Sequence, residues 1–408
     1  MKPVRSVMLS GCVFAVSMSM ASTMSAVAAS AQAPGTEAAI VTAGGTRFRV
    51  HTISDELKSG YQVIAADLTG DGRKDLIALT EGMQELVWFE APNWERHVMI
   101  DGVRNMSAMA AHDIDGDGVP ELALGYFFSG RPVAQPGLVT ILRHNGNPRE
   151  RWTLTEIDKV PTVHRLRWID IDGSGRKVLL NGPMVNPDEP EVSGGNAVPV
   201  YIYHPGDNWR RETLTDVPRG YLHGMTVTDW DGKGPHNLLT ASSLGIHVWR
   251  RAASGEWTGD LLTSGNPEAW PRAGSADVAV GRTESGRFLA AIEPYHGNIV
   301  AVYREQDGTW QRRVIDDSIV TGHALAMADF DGNGRDDIVI GFRGKGHRLY
   351  LYTADDADAE RWTRHTIDDG GMAAAACIAE DINGDGRPDI ACMGSGTSNL
   401  KVYENLGR

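Results

Sequence analysis

TGHALAMADFDGNGRDDIVIGF, residues 321–342, carries two signals at once. From Asp329 onward, acids and an amide fall at every second position and glycines fill the gaps. A calcium loop has this pattern, with oxygen ligands at alternate positions and glycine where the chain turns sharply. His323 stands six residues ahead of that loop. The chain repeats the arrangement: DLTGDGRKDLIAL from Asp67, DIDGDGVPELALG from Asp113, DIDGSGRKVLLNG from Asp170, DWDGKGPHNLLTA from Asp229 and DINGDGRPDIACM from Asp381. A seventh, degenerate copy, GRTESGRFLAAIE, starts at Gly281. The starts lie 46, 57, 59, 52, 48 and 52 residues apart. Repeats of about this length signal solenoids and propellers.

Each copy sits between short apolar runs of β character and is followed by an aromatic strand such as LVWFE, VYIYH or LYLYT. All but the last continue to a Trp-bearing strand that ends like RHTID. Four short strands per unit, seven times over, predict an all-β, seven-bladed β-propeller over residues 46–408. The last unit stops at LKVYENLGR, whereas TRFRVHTIS, residues 46–54, resembles the fourth strand of another unit. The N-terminal strand is therefore expected to close the last blade and remove an open edge.

Residues 1–31 read as a secretory signal, with Lys2 and Arg5, an apolar Met/Val/Ala stretch and Ala-x-Ala sites between Ala26 and Ala33. A secreted or periplasmic protein is expected, with no membrane partner, since no second apolar run nears the roughly 20 residues of a spanning helix. The formal charge of −14 speaks against nucleic acid as well. Hydrophobic residues at 41% exclude wholesale disorder. Cys377 and Cys392 flank one predicted hairpin nearly opposite each other. One bridge would suit an oxidising compartment, but two buried thiols are the expectation.

Positions 1, 3, 5 and 9 of each acidic loop are the candidate metal ligands. Asp113, Asp115, Asp117 and Glu121 make a full set. So do Asp329, Asp331, Asn333 and Asp337, and Asp381, Asn383, Asp385 and Asp389. Asp67, Asp71 and Asp75 lack only position 3, where Thr69 stands. The third copy has Val178 at position 9 and the fourth has Lys233 at position 5, where an ammonium can replace the metal. Structural Ca2+ is expected in the complete loops; the alternative is that the acids cap polar turns without metal.

Counting back six residues from each loop start lands on Tyr61, Ser107, His164, His223, Ser275, His323 and Ala375. Three of seven are histidine in a chain that holds 13 in all, so chance is a poor explanation. The first strand of a propeller blade lines the central channel. His164, His223 and His323 should therefore converge near the axis, opposite the acidic loops. Imidazole suits both proton transfer and metal ligation, so a divalent metal at this cluster is a further expectation. Loops on the same face carry His296, Tyr221, Tyr295, Trp270, Arg104, Arg219, Arg272, Arg343 and Glu293. Arginines gathered on one rim of an acidic protein point to an anionic ligand, since their forks match carboxylates. Trp270, Tyr295 and Phe127–Phe128 offer apolar platforms for sugar rings, and the insertion at residues 181–198 offers a wall.

The repeats resemble the VCBS/FG-GAP units of integrin-type propellers and many secreted bacterial proteins, over essentially all of residues 46–408. The histidine register and IEPYHGN, residues 292–298, are similar to a narrower group. These are the propeller domain of aldos-2-ulose (1,5-anhydrofructose) dehydratases and the seven-bladed L-rhamnose–α-1,4-D-glucuronate lyases. The resemblance implies elimination chemistry on a sugar. A polysaccharide lyase acting as a monomer on an anionic, uronate-bearing chain is expected, with rhamnosyl-glucuronate as the linkage. Arg219, Arg272, Arg343 or a histidine-held metal would neutralise the carboxylate. His223 or His164 would take the C5 proton, and Tyr221 or another histidine would protonate the leaving oxygen. The alternatives are an anhydrofructose-type dehydratase and a non-catalytic carbohydrate-binding or adhesion propeller. A glycosidase would want two carboxylates on this rim, where only Glu293 offers itself.

Overall fold

Six-residue runs such as Asp75–Thr80 (DLIALT) and Asp337–Phe342 (DIVIGF) are buried at every position. Burial on both faces is what a strand packed between two neighbouring sheets requires. Each such run is the second strand of a four-stranded antiparallel blade. The computed structural model describes residues 38–131, 135–189, 191–215, 218–232 and 234–408; the expected signal segment and Lys233 lie outside the described residues. The inner strands are Gly60–Ala66, Ala108–His112, Val163–Ile169, Leu222–Thr228, Asp277–Thr283, Gly322–Ala328 and Ala374–Glu380. Each adjoins the next, and the last adjoins the first, so seven sheets close into a ring.

The seventh blade takes its outer strand from Thr46–Ser54, which pairs antiparallel with Leu400–Asn405, His51 facing Val402. The expected closure is thus present. Ile40–Ala43 then adds a fifth strand on the outside, so this blade takes in residues ahead of 46.

The core is split into seven hydrophobic clusters, each joining two adjacent blades. Polar latches reinforce some of these layers. A tyrosine on the third strand donates to an aspartate at the end of the preceding blade, and a cation on the tyrosine's own blade pairs with that aspartate. Tyr203, Asp158 and Arg211 form one such set at 2.7 and 3.0 Å. Tyr352, Asp316 and Arg364 form another at 2.6 and 2.7 Å. Tyr403, Asp368 and Lys401 form a third at 2.9 and 2.8 Å. Cys377 and Cys392 stand directly opposite each other in the seventh blade and are joined by a disulfide, not held as two thiols. A non-bonded reading underestimated how close antiparallel partners lie.

Candidate active site

The histidine register has a structural cause. In five of the seven inner strands the ladder slips by one residue, and the extra residues are Tyr61, His164, His223, His323 and Ala375. A β-bulge re-aims the side chain it inserts. Here the bulges turn four rings toward one another. Ring centroids lie 4.8 Å apart for His164 and His223, 5.0 Å for His223 and His323, and 5.7 Å for Tyr61 and His323. His296 joins from the loop after the second strand of the fifth blade, its backbone in the left-handed region at φ 47°. Its ring is 5.2 Å from His223 and 5.0 Å from His323. The structure thus brings together all four sequence-derived histidines.

Their hydrogen bonds set their chemistry. His223 Nδ1 lies 3.1 Å from the Ala276 carbonyl, closer than the Arg165 Nη2 that approaches it at 3.5 Å, and His323 Nδ1 lies 2.5 Å from the Ala375 carbonyl, each carbonyl on the following blade. A carbonyl accepts only, so Nδ1 carries the hydrogen and Nε2 carries the lone pair. Both Nε2 atoms are buried without a partner among the described residues. Ligand atoms of His223, His296 and His323 lie within 4.8 Å of one another. His223 and His323, buried, lone-pair-bearing and fixed through their other nitrogen, fit a divalent cation, with the partly buried His296 in reach as a third ligand. Burial and Arg165 hold His164 and His223 well below the usual histidine range; burial and Arg343 do the same for His323. Burial, Arg343 and Arg165 push His296 down to about 4.

Of the expected arginines, Arg343 reaches the cluster. Its guanidinium sits 5.1 Å over the Tyr61 ring, and its Nε and Nη2 are buried with no hydrogen-bond partner among the described residues. Those two atoms form one edge of the fork that matches a carboxylate. The other three lie away from the cluster, two of them already engaged. Arg219 donates to the Gly195 carbonyl at 2.7 Å and anchors the 181–198 insertion. Arg272 is exposed and paired with Glu268 at 2.8 Å, and Arg104 is exposed on the rim. Glu293 is no rim acid either. It is 0% exposed, paired with Arg312 at 2.7 Å, and accepts from Ser275 and Tyr303. The fourth blade's outer strand ends on Thr263 where other blades offer aspartate, so Glu293 supplies the latch acid for Tyr303.

Trp270, Tyr221, Tyr295 and His296 stack in one column, with centroids 5.0, 4.1 and 4.0 Å apart. Their faces cover one another, so Trp270 and Tyr295 are packing for His296 instead of open platforms. Phe128, 5.6 Å from His164, does lie at the cluster.

Sequence reasoning passed over three groups. Tyr61 is in register but was not counted as functional; its hydroxyl lies 2.6 Å from His164 Nε2. Arg165, one residue past His164, reaches the same Nε2 at 3.2 Å. Asp277 and Arg167 join Arg165 and Gln62 in lining a cavity of about 320 Å3 that runs down the channel from Tyr61 and His323. A charged residue immediately after a register histidine was the available signal for Arg165.

On the opposite face, the first acid of each loop caps the turn: Asp67 accepts from Gly70 and Gly72, Asp113 from Gly116 and Gly118, and Asp381 from Gly384 and Gly386. Asp329 does so from Asn333 and Gly334. The ninth-position acids point inward and accept from Leu68, Ile114, Phe330 and Ile382. Carboxylate oxygens of Asp113, Asp115 and Asp117 lie within 4.8 Å of one another. Asp337 keeps Oδ1 buried and, among the described residues, unpartnered, an orphan that a cation would satisfy.

Residues 136–306 match the family model described as the aldos-2-ulose dehydratase β-propeller domain, a span holding His164, Tyr221, His223, Tyr295 and His296. Residues 67–124 and 329–392 match FG-GAP-like repeats. The chain is 27% identical over 239 residues to the aldos-2-ulose dehydratase of Phanerodontia chrysosporium, covering 52% of this chain and 26% of that one. It therefore spans about a quarter of that relative's length. Among solved structures, the exotype rhamnogalacturonan lyase YesX is similar at 13% identity and TM-score 0.51, over 91% of this chain and 75% of that one. A chain of the mitotic checkpoint complex is similar at 14% identity and TM-score 0.55, over 94% and 99%. These two likenesses concern the fold alone. The chain is a seven-bladed propeller with FG-GAP-like repeats whose middle blades match the propeller domain of the aldos-2-ulose dehydratases.

Proposed function

We propose that this protein is a carbon–oxygen lyase that opens a uronate-bearing saccharide by β-elimination, removing the C5 proton and expelling the C4 oxygen. The observation that carries this reading is the buried, unpartnered edge of Arg343 beside a cluster of neutral imidazoles. Leaving that edge unpaired costs roughly 1–3 kcal/mol, which a bound carboxylate offsets. Arg343 would grip the uronate carboxylate through Nε and Nη2, and the lone pair of His296 or His223 would take the C5 proton. Arg343, which with burial depresses His296, is neutralised by the same carboxylate, so substrate binding makes that base stronger. A divalent cation held by His223 and His323 would add Lewis-acid withdrawal from the carboxylate when bound, and would leave His296 as the base, since a metal-bound imidazole nitrogen has no lone pair for a proton.

A second reading, a dehydratase acting on a neutral keto- or anhydro-sugar, is favoured by the family match over residues 136–306. It shares the elimination chemistry and gives Arg343 no anion to hold. We also propose Ca2+ in the acidic loops, export from the cytoplasm, and an anionic oligo- or polysaccharide as partner of a monomeric enzyme. The test is ultraviolet absorbance of the unsaturated uronate while protein meets gum arabic, ulvan and related polymers. A rise supports the lyase. A flat trace with turnover of 1,5-anhydrofructose supports the dehydratase, and binding without turnover in either assay would leave a non-catalytic lectin-like propeller.

A further inference from the structure

His164 differs from the other two bulge histidines. His223 and His323 each give Nδ1–H to the next blade's carbonyl, whereas His164 Nδ1 is buried with no partner among the described residues. Its Nε2 instead faces two donors, the Tyr61 hydroxyl at 2.6 Å and Arg165 Nη1 at 3.2 Å. Two donors on one nitrogen require a lone pair there, so the hydrogen of the neutral imidazole resides on Nδ1. A buried N–H without a protein acceptor calls for one from elsewhere, and in this site the available acceptor is a bound molecule's oxygen.

We infer that His164 is the general acid of the site and that Tyr61 is the positioning residue that recharges it. The inference rests on the reading that an oxygen substituent is eliminated, and it reverses the role of base that the sequence suggested for His164. As the C4–O bond breaks and its electron pair goes to oxygen, His164 Nδ1 gives that oxygen its proton. Nε2 takes the Tyr61 proton in the same movement. His164 thus changes tautomer without becoming imidazolium, the form that burial and Arg165 disfavour. The negative charge ends on the Tyr61 oxygen, with the Arg343 guanidinium 5.1 Å over its ring and Arg165 on the same His164 nitrogen. Solvent later returns a proton to Tyr61, matching the one taken from C5.

Two measurements on the full-length protein test this. In the nitrogen NMR spectrum of histidine-labelled protein, His164 should carry its hydrogen on Nδ1, and Tyr61→Phe should move that resonance. A hydrogen on Nε2 overturns the relay whether or not any substrate is turned over. In the kinetic arm, Tyr61→Phe, which keeps the ring and removes only the hydroxyl, should lower kcat about 10²–10³-fold on a sugar or hydroxyl leaving group. The loss should shrink to less than about tenfold when the C4 substituent is a nitrophenoxide, which departs without a proton. Equal losses on both leaving groups would make Tyr61 structural and sink the proposal. A wild-type protein that eliminates neither substrate refutes the lyase reading itself, and the tautomer then decides the pair alone.

Discussion

A folded protein gains nothing from burying a guanidinium edge with no acceptor, so Arg343 separates the readings of this site. Arg343→Gln should reduce kcat/KM on a uronate by about 10²–10³-fold, and Arg343→Lys should recover little because an ammonium lacks the fork. Turnover of a neutral anhydro-sugar should be nearly indifferent to either change. Arg219→Ala and Arg272→Ala should stay within a few-fold of wild type, since both guanidinia are already engaged away from the cluster. The histidines make a pH prediction. Burial and neighbouring arginines lower every imidazole of the cluster, His296 to about 4. A lowered pKa keeps the base unprotonated further into acid, so the acid limb of kcat/KM should fall below pH 6.5, the ordinary histidine value. A limb at or above that value, measured in rate profiles, would mean that the base is not one of these rings. Histidine spacing was legible because one register repeats. Arg272 could have been set aside from sequence too, because Glu268 lies four residues before it. The Tyr61–His164 contact could not be read, since it joins residues 103 positions apart.

At the scale of strands and loops, the bulges explain why the register works. They were invisible in the sequence because a bulge is defined by what stands opposite it, and the partner strand lies beyond the acidic loop. Glu293 was misread for a related reason: its role follows from what the neighbouring blade lacks. The loops carry a proton-linked prediction. Burial raises Asp337 to about 8 and Asp75 and Asp389 to about 6. The folded, calcium-free protein therefore holds protons that the unfolded chain releases above pH 4. This contribution to stability is full below that value and is lost as pH climbs toward 8. In chelator, the melting temperature should drift downward across that window. Added Ca2+ should remove the drift, and Asp337→Asn should flatten it without metal. The disulfide closes a separation of 15 residues, so replacing both cysteines with serine should cost about 3 kcal/mol in denaturant unfolding.

For the whole molecule, seven repeats with strand-like flanks were enough to give blade count, closure and channel from the sequence. The depth of the channel and its lining by Arg165, Arg167 and Asp277 were not, because they depend on how seven inner strands face one axis. Closure itself can be tested by truncation. Removing residues 38–43 deletes one outermost strand and should shift the melting temperature by only a few degrees. Removing residues 38–54 bares Leu400–Asn405 and should abolish soluble, monomeric expression. The same pairing makes the finished ring depend on an encounter between segments some 350 residues apart. Loop-closure entropy slows such encounters, so six complete blades must wait as an open arc with one receptive strand. During that wait, the matching strand of a second molecule can dock in place of the molecule's own. Refolding at rising concentration should therefore trade monomer for exchanged dimers and longer chains, while refolding in dilution should not.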